Sequence, residues 1–388
     1  MSVKLNIYLE ERFIHFNNSY YSMVYDDLFW DRYLEVFNKV YVVARVYDVD
    51  LPEKIPNGYK EVTRDRVEFL RLPYYQGLYA GIVTLPILFI ELFKIVKSSK
   101  NNILRLPGII SIFAGIFCSI FKKKFAVELV GDPYDVFSSG VGGKLSKILR
   151  FIFTGMTKIL VKNAIAVAYV TQRTMQLRYP TNKSSFSTYY SSITLDKNVF
   201  QDKNIRKKIN KEDFKILMVG SLEQMYKGFD IAIKAIARVE FKENVKVNIV
   251  GDGVFRNQLQ EIANHKNMNN SCIFHGKMSR EQIFNLMEEV DLFLMPSRTE
   301  GLPRALIEAM SKGLPAIGSD VGGIPELLPE EWIFTSEDDL ALSQKISKIY
   351  YLESIEEISM VNMEKAKEFQ SDILQERRKK FYSVLKNS

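Results

Sequence analysis

Two carboxylates frame the densest chemical signal in this 388-residue chain: Glu300 and Glu308, in the run Ser297-Arg-Thr-Glu-Gly-Leu-Pro-Arg-Ala-Leu-Ile-Glu-Ala-Met-Ser-Lys-Gly313. The run predicts a helix over 303–312. Pro303 suits its first position, where a missing N–H is harmless, and Gly313 suits the left-handed residue just past its end. Leu302, Ala305, Leu306, Ala309 and Met310 recur at i, i+3, i+4, i+7 and i+8 and form one apolar stripe. Glu308 falls off that stripe, one turn from Arg304. Glu300 precedes the helix and follows an apolar run read as a strand, Asp291–Met295. It therefore belongs at the carboxyl end of a parallel strand, where open α/β sheets bind ligands. Unpaired N–H groups at the helix start, led by Gly301 and Leu302, suit an anion such as phosphate. One carboxylate accepting from sugar hydroxyls, the other from ribose hydroxyls and the N–H groups holding a diphosphate would together suit a nucleotide-sugar. A solvated Glu308 on an ordinary amphipathic helix is the competing reading of the same residues.

The elements that must position this run are legible on both sides of it. Val3–Tyr8, Val40–Arg45, Asn102–Leu106, Phe125–Val130 and Ala164–Thr171 are short apolar runs read as strands, with helix-length amphipathic stretches such as Leu78–Val96 and Leu145–Leu160 between them. That alternation implies a parallel sheet. Residues 196–213 are polar and aperiodic, and are read as a linker. A second series follows: strands at Phe214–Val219, Val245–Val250, Cys272–Phe274, Asp291–Met295 and Pro315–Ser319, with helices at Phe229–Val239, Val254–Ala263, Ser279–Met287 and Pro303–Lys312. Charged helices close the chain from about Asp338. The expected organisation is an N-terminal domain over 1–195, the linker, a second domain over 214–365 and a C-terminal helix over 366–388.

The Glu300-to-Glu308 segment resembles the Glu-x7-Glu motif of the family-four retaining glycosyltransferases. The resemblance continues through Pro315-Ala-Ile-Gly-Ser-Asp-Val-Gly-Gly-Ile-Pro-Glu326. Upstream it includes Val219-Gly-Ser-Leu222 with Lys227-Gly228, Val250-Gly-Asp-Gly253, Phe274-His-Gly276 and Met295-Pro-Ser297. These landmarks keep the family's order and spacing over roughly residues 214–328. The resemblance implies the GT-B fold: two Rossmann-like domains facing a cleft, the first binding the acceptor and the second the nucleotide-sugar, with the C-terminal helix returning to the first. It implies that Glu300 holds the donor sugar, Glu308 the ribose and Lys227 the diphosphate, a lysine there stabilising the leaving group. Gly220, Ser221, Gly251, Gly301 and Leu302 would line the donor site, and the backbone of Lys277 and Met278 would meet the base. Many members carry arginine where this chain has Ser221, so the second diphosphate cation must come from elsewhere, Arg304 being one source. In the first domain, Phe125-Ala-Val-Glu-Leu-Val-Gly-Asp-Pro-Tyr-Asp135 resembles the strand and loop facing the cleft. Asp132 is then the candidate for orienting the acceptor or acting as a base, beside the plainer reading of a Gly-Asp-Pro turn. Arg105 is a second candidate facing the acceptor.

Other chemistries find less support. Two cysteines, Cys118 and Cys272, and three histidines argue against a disulfide framework or a metal centre, and no metal or cofactor is expected. Gly251-x-Gly253 lacks the third glycine of a dinucleotide fingerprint, since Arg256 stands there. Asp48-Val-Asp50 has the form of a metal-binding pair but lies in the other half of the chain. Residues 1–200 carry 26 Lys and Arg against 17 Asp and Glu, whereas residues 201–388 carry 27 against 29. A basic first half suits an anionic partner, whether acidic lipid, a lipid-pyrophosphate-linked glycan acceptor or nucleic acid, and equally suits a solvated surface kept basic for solubility. The run Leu106–Phe121, closed by Lys122-Lys-Lys124, is too short to cross a bilayer and reads as a buried or interfacial helix. No nucleic-acid motif accompanies the basic charge. No secretory leader is read at the N-terminus, so the expected place is the cytoplasm, on the inner face of the membrane. The reading is a transferase of surface polysaccharide assembly, such as capsule or O-antigen. The competing ones are a catalytically silent glycan- or nucleotide-binding protein of the same fold and a nucleotide-sugar epimerase.

Overall fold

The computed structural model describes residues 3–138, 143–200 and 205–388. The first half forms β1 (Lys4–Phe16), β2 (Ser19–Ser22), α1 (Asp27–Leu34), β3 (Lys39–Asp48), β4 (Lys60–Glu61), β5 (Val67–Leu72), α2 (Leu78–Ser98), β6 (Asn101–Leu106), α3 (Ile109–Ile120), β7 (Phe125–Leu129), α4 (Pro133–Ser138), α5 (Ser146–Asn163), β8 (Ala166–Tyr169), α6 (Thr174–Arg178) and β9 (Phe186–Tyr189). Its parallel strands lie in the order β5-β3-β1-β6-β7-β8-β9. β1 runs far past the predicted Val3–Tyr8. After a register shift between Tyr8 and Arg12 it goes on pairing with β3, then folds antiparallel onto β2. Polar residues in that extension, such as Glu10, Glu11 and Arg12, hide it from a hydrophobic-pattern reading. β2, β4, β5 and β9 were likewise not anticipated, and each is short or too polar to alternate cleanly.

The second half forms β10 (Phe214–Val219), α7 (Phe229–Ile236), β11 (Val245–Val250), α8 (Arg256–His265), β12 (Cys272–Gly276), α9 (Arg280–Glu289), β13 (Leu292–Met295), α10 (Arg304–Ser311), β14 (Ala316–Ser319), β15 (Ile333–Phe334), α11 (Asp339–Tyr351), α12 (Glu356–Lys367) and α13 (Ser371–Asn387). Its six parallel strands lie in the order β12-β11-β10-β13-β14-β15. The chain reverses its direction of growth between β10 and β13, and ligands of such sheets bind at that point. The central strands β10 and β13 are buried on both faces, as the continuous apolar runs at Ile216–Val219 and Leu292–Met295 require.

The body of the second half starts before β10. Arg206 donates to the carbonyls of Met287 and Val290, and Ile209 joins the core under β10. At the other end, α12 packs on α10 while α13 leaves this half and packs on β8 and β9. Ser371 donates its N–H to Leu195, Arg378 reaches the carbonyl of Ser191, and Tyr382 donates to the buried Glu128. The C-terminal helix thus ties the two halves together.

Candidate functional site

The switch point of the second sheet brings together residues 73 apart in sequence. Lys227, in the turn after β10, lies 2.5 Å from the Glu300 carboxylate, which follows β13, and Ser297 donates its hydroxyl to the same oxygen at 2.9 Å. Both partners of the ion pair are nearly buried, 16% and 10% exposed. Arg298 braces the turn: its backbone N–H bonds the Tyr226 carbonyl at 2.7 Å and its guanidinium grips Asp230 at 2.8 and 2.9 Å. The sequence reading missed Arg298, since nothing local marks a residue whose partners lie on α7. Glycines permit the close approach. A Cβ on Gly228 (φ +66°) would lie 1.9 Å from the Pro296 carbonyl oxygen, and one on Gly251 (φ +140°) 1.8 Å from that of Gly220. Gly220 itself lies under the aliphatic stem of Lys227. Ser221 follows at the rim, its hydroxyl accepting from the N–H of Glu223.

Beside the ion pair, α10 begins. Pro303 is its capping residue, one position earlier than its sequence preference suggests, and Gly313 adopts the left-handed conformation expected of it (φ +62°). The Glu300–Gly301 backbone is clamped by the loop after β14, where Gly323 donates its N–H to the Gly301 carbonyl at 2.7 Å. The N–H groups of Gly301 and Leu302 have no protein acceptor among the described residues. The first sheet offers the contrasting case. At its own switch point the start of α3 is filled from within, because Glu10 accepts the N–H of Ile110 at 3.0 Å and pairs with Arg45. The α10 start, by contrast, presents free donors beside Lys227.

Glu308 lies on the same helix, 15% exposed, 3.0 Å from Arg280 at the start of α9. Burial pushes its carboxyl above the ordinary range, and Arg280 and then Arg304 partly oppose that. Arg280 also donates to the carbonyl of Thr194 in the first half. Arg304 is exposed and makes no salt bridge among the described residues. Lys277 and Met278 lie between β12 and the Ser279 cap of α9. The second-half residues picked from sequence therefore lie on loops leaving β10, β11, β12 and β13, at the start of α10 or, for Glu308, in the middle of that helix.

The opposite wall comes from the first half. Asp132 is buried and fully engaged: it accepts the N–H of Tyr134 at 2.8 Å and the hydroxyl of Tyr179 at 2.6 Å, and it pairs with Arg178. It caps α4, so the Gly131-Asp132-Pro133 turn is real and also carries an ion pair. Arg178 reaches Asp135 as well, at 2.8 Å, and burial beside Asp132 raises the Asp135 carboxyl. Asp135, Ser138, Thr174 and Arg178 from this wall, with Tyr226, Thr299 and Asp320 from the other, enclose a cavity of about 860 Å³. Its floor is latched by Glu326, whose carboxylate accepts the N–H groups of Gln172, Arg173 and Thr174 at 2.5, 3.1 and 2.5 Å across the two halves.

Arg105 does not present a free guanidinium to the cleft. It pairs with Glu128, its register partner on β7, and packs 5.0 Å from the Phe29 ring. Glu128 also accepts from Tyr33, Tyr190 and Tyr382. Alternation along β6 put Arg105 on the face that α1 and α13 cover, and the second of these arrives from the chain's far end. Asp48 is paired with His15 and Arg71, and Asp50 with Lys54.

Two sheets of this order with a ligand-ready switch point define the GT-B architecture. The glycosyltransferase WaaG of lipopolysaccharide biosynthesis superposes with a TM-score of 0.59 over 99% of this chain and all of its own, at 16% identity. HepE of Anabaena, solved with UDP, does so at 0.64 over 96% and 98%, at 15% identity. Residues 200–368 match the family model described as glycosyl transferases group 1. CapJ of Staphylococcus aureus is 31% identical over 338 residues, covering 86% of this chain and 83% of its own. The chain belongs to the group 1 glycosyl transferases.

Proposed function

We propose that the protein is a retaining glycosyltransferase that moves a sugar from a nucleotide-diphosphate-sugar to a glycan or lipid-linked acceptor in surface polysaccharide assembly. The observation that carries this is the Lys227–Glu300 pair beside the unfilled N–H groups of Gly301 and Leu302. The diphosphate occupies the start of α10. Lys227 turns from Glu300 to the phosphates and stabilises the charge that grows on the departing nucleotide. Glu300, so released, accepts hydroxyls of the transferring sugar. Glu308 accepts the ribose hydroxyls, and the backbone at Lys277 and Met278 meets the base. Arg304 supplies the second cation that Ser221 does not. No metal or cofactor is required, because lysine and helix N–H groups do the neutralising.

Asp132 acts by fixing Arg178 and the Tyr134 turn at the cleft wall, since each of its oxygens already holds a donor. The acceptor enters the 860 Å³ cavity between the two walls. Retention is drawn from the resemblance to family-four enzymes. UDP bound to HepE supports a nucleotide donor, and the role of WaaG in lipopolysaccharide biosynthesis supports the surface-glycan setting, at the inner face of the membrane. The test is donor hydrolysis and transfer across UDP-, GDP- and ADP-sugars, with product anomers read by NMR. Lys227→Ala and Glu308→Ala are expected to lose activity on the best donor. Turnover of that donor at the wild-type rate by both variants would sink the proposal, and an inverted product anomer would remove its retaining part.

A further inference from the structure

The helices α2, α3 and α5 cover one face of the first sheet, and their outer surface is apolar and basic. On α2, Val83, Ile87 and Ile90 are more than half exposed, spaced as one helical stripe. On α5, Ile148 and Phe151 are 58% and 82% exposed, and Ile152 and Ile159 accompany them. α3 lies between, its inner face in the core, and ends in the exposed Ile120. Around these stripes stand Lys97, Lys100, Lys122, Lys144, Lys147, Lys158 and Lys162. None has an acidic partner among the described residues. The sequence explains why: no Asp or Glu occurs from Leu92 to Val127 or from Val136 to Leu195.

The Lys122–Lys124 run that the sequence singled out is only the edge of this surface. Lys123 is tied to the Ser99 carbonyl and Lys124 to the C-terminal Ser388. The apolar helix before it, α3, is largely spent on the core.

We infer that this α2–α5 face docks on an anionic lipid bilayer. Apolar side chains ringed by unpaired lysines match the layered chemistry of a headgroup surface, with acyl chains beneath and negative charge above. A second copy of the chain is a poorer occupant, because a two-fold contact would set the same lysines against themselves. No helix among the described residues is long and apolar enough to cross the membrane, so the contact is peripheral. The geometry also joins the two surfaces. α5 packs against α4 through Phe137 and Phe153, 5.0 Å apart, and α4 supplies Asp135 and Ser138 to the cleft cavity. A bilayer on α5 lies beside the mouth of that cavity, so an acceptor carried on a lipid need not leave the membrane.

This inference is independent of the donor-site reading. It is tested by co-sedimentation with phosphatidylcholine vesicles, with and without about one-third phosphatidylglycerol, at low salt and at about 0.5 M salt. Binding is expected only to the anionic vesicles, and weaker at high salt. Ile148→Ser with Phe151→Ser, and separately Lys144→Glu with Lys147→Glu and Lys158→Glu, should each lower the affinity by about tenfold or more. All five positions are exposed, so thermal unfolding and donor hydrolysis should stay at wild-type values. Absence of binding, equal binding to neutral vesicles, or wild-type binding by both variants would overturn the inference. So would a dimer in light scattering that both variants dissociate, since a second copy would then cover the face.

Discussion

Replacing Lys227 by Met tests the proposed donor grip and its architecture separately. The ammonium lies 2.5 Å from Glu300, with both side chains nearly buried, so its removal has two consequences. The first concerns reaction: one fixed cation aimed at the developing phosphate charge is worth about 3–4 kcal/mol, or about 10²–10³ in kcat/KM. The second concerns stability. Glu300 keeps only the Ser297 hydroxyl, and a stranded, mostly buried carboxylate costs about 2–3 kcal/mol. For a body of this size that lowers the apparent Tm by about 5–10 °C. Adding Glu300→Gln removes the stranded charge. The double variant should recover most of the Tm while its kcat/KM stays low, measured with the best donor of the panel. Wild-type kcat/KM in Lys227→Met, or additive Tm losses in the double variant, would refute the reasoning, because the pair would then be neither functional nor coupled.

Three further outcomes follow from the site and its supports. Burial holds the Glu308 carboxyl above its ordinary range against the opposing charge of Arg280, so donor affinity should fall as pH drops through that raised value. Its effect on stability has the opposite sense: the favourable contribution is present at low pH and is lost as pH rises through the same value. Arg280→Met should push the carboxyl further up and move the acid limb of a KM–pH profile to higher pH, and an unmoved limb would dissociate Arg280 from Glu308. Glu128→Gln leaves Arg105 buried without a counter-charge and should cost about 3–5 kcal/mol, read as the urea midpoint of the first half, with little change in donor hydrolysis. Glu326→Ala removes three N–H acceptor contacts between the halves, costing about 1–2 kcal/mol, and should enlarge the radius of gyration in solution scattering; an unchanged radius would mean that α13 and contacts such as Arg280 to Thr194 suffice to hold the halves together.

How much was legible beforehand varies between the halves. In the second, β10 and β11 fall where the apolar runs place them, and α9 starts at its Ser279 capping box. Strong local signals, unbroken apolar strands and capped amphipathic helices, coincide there with tertiary need. In the first half, β1 continues through Glu10, Glu11 and Arg12 because a cross-sheet register shift and a hairpin supply the pairing that hydrophobicity does not. Arg105 looked available because a sequence shows which strand carries a residue but not what later covers that face. Asp132 was correctly placed at the strand end, yet its partners Arg178 and Tyr179 sit 46 and 47 residues away.

By itself the sequence determined most elements of the second half, the strand–helix alternation and the kinds of chemistry present: two carboxylates around a helix start, a lysine after a strand, and glycines where backbones must touch. Periodicity, capping and turn preferences act over a few residues, so a single chain displays them. Only the tertiary structure decided which helix start is free, with Glu10 filling α3 while Gly301 and Leu302 at α10 stay open. It also decided that Lys227 meets Glu300, and that Arg280 rather than solvent faces Glu308. These pairings depend on strand order and on loops closing across tens to hundreds of residues. The energy that selects them is the burial of whole layers, which no local stretch of sequence contains.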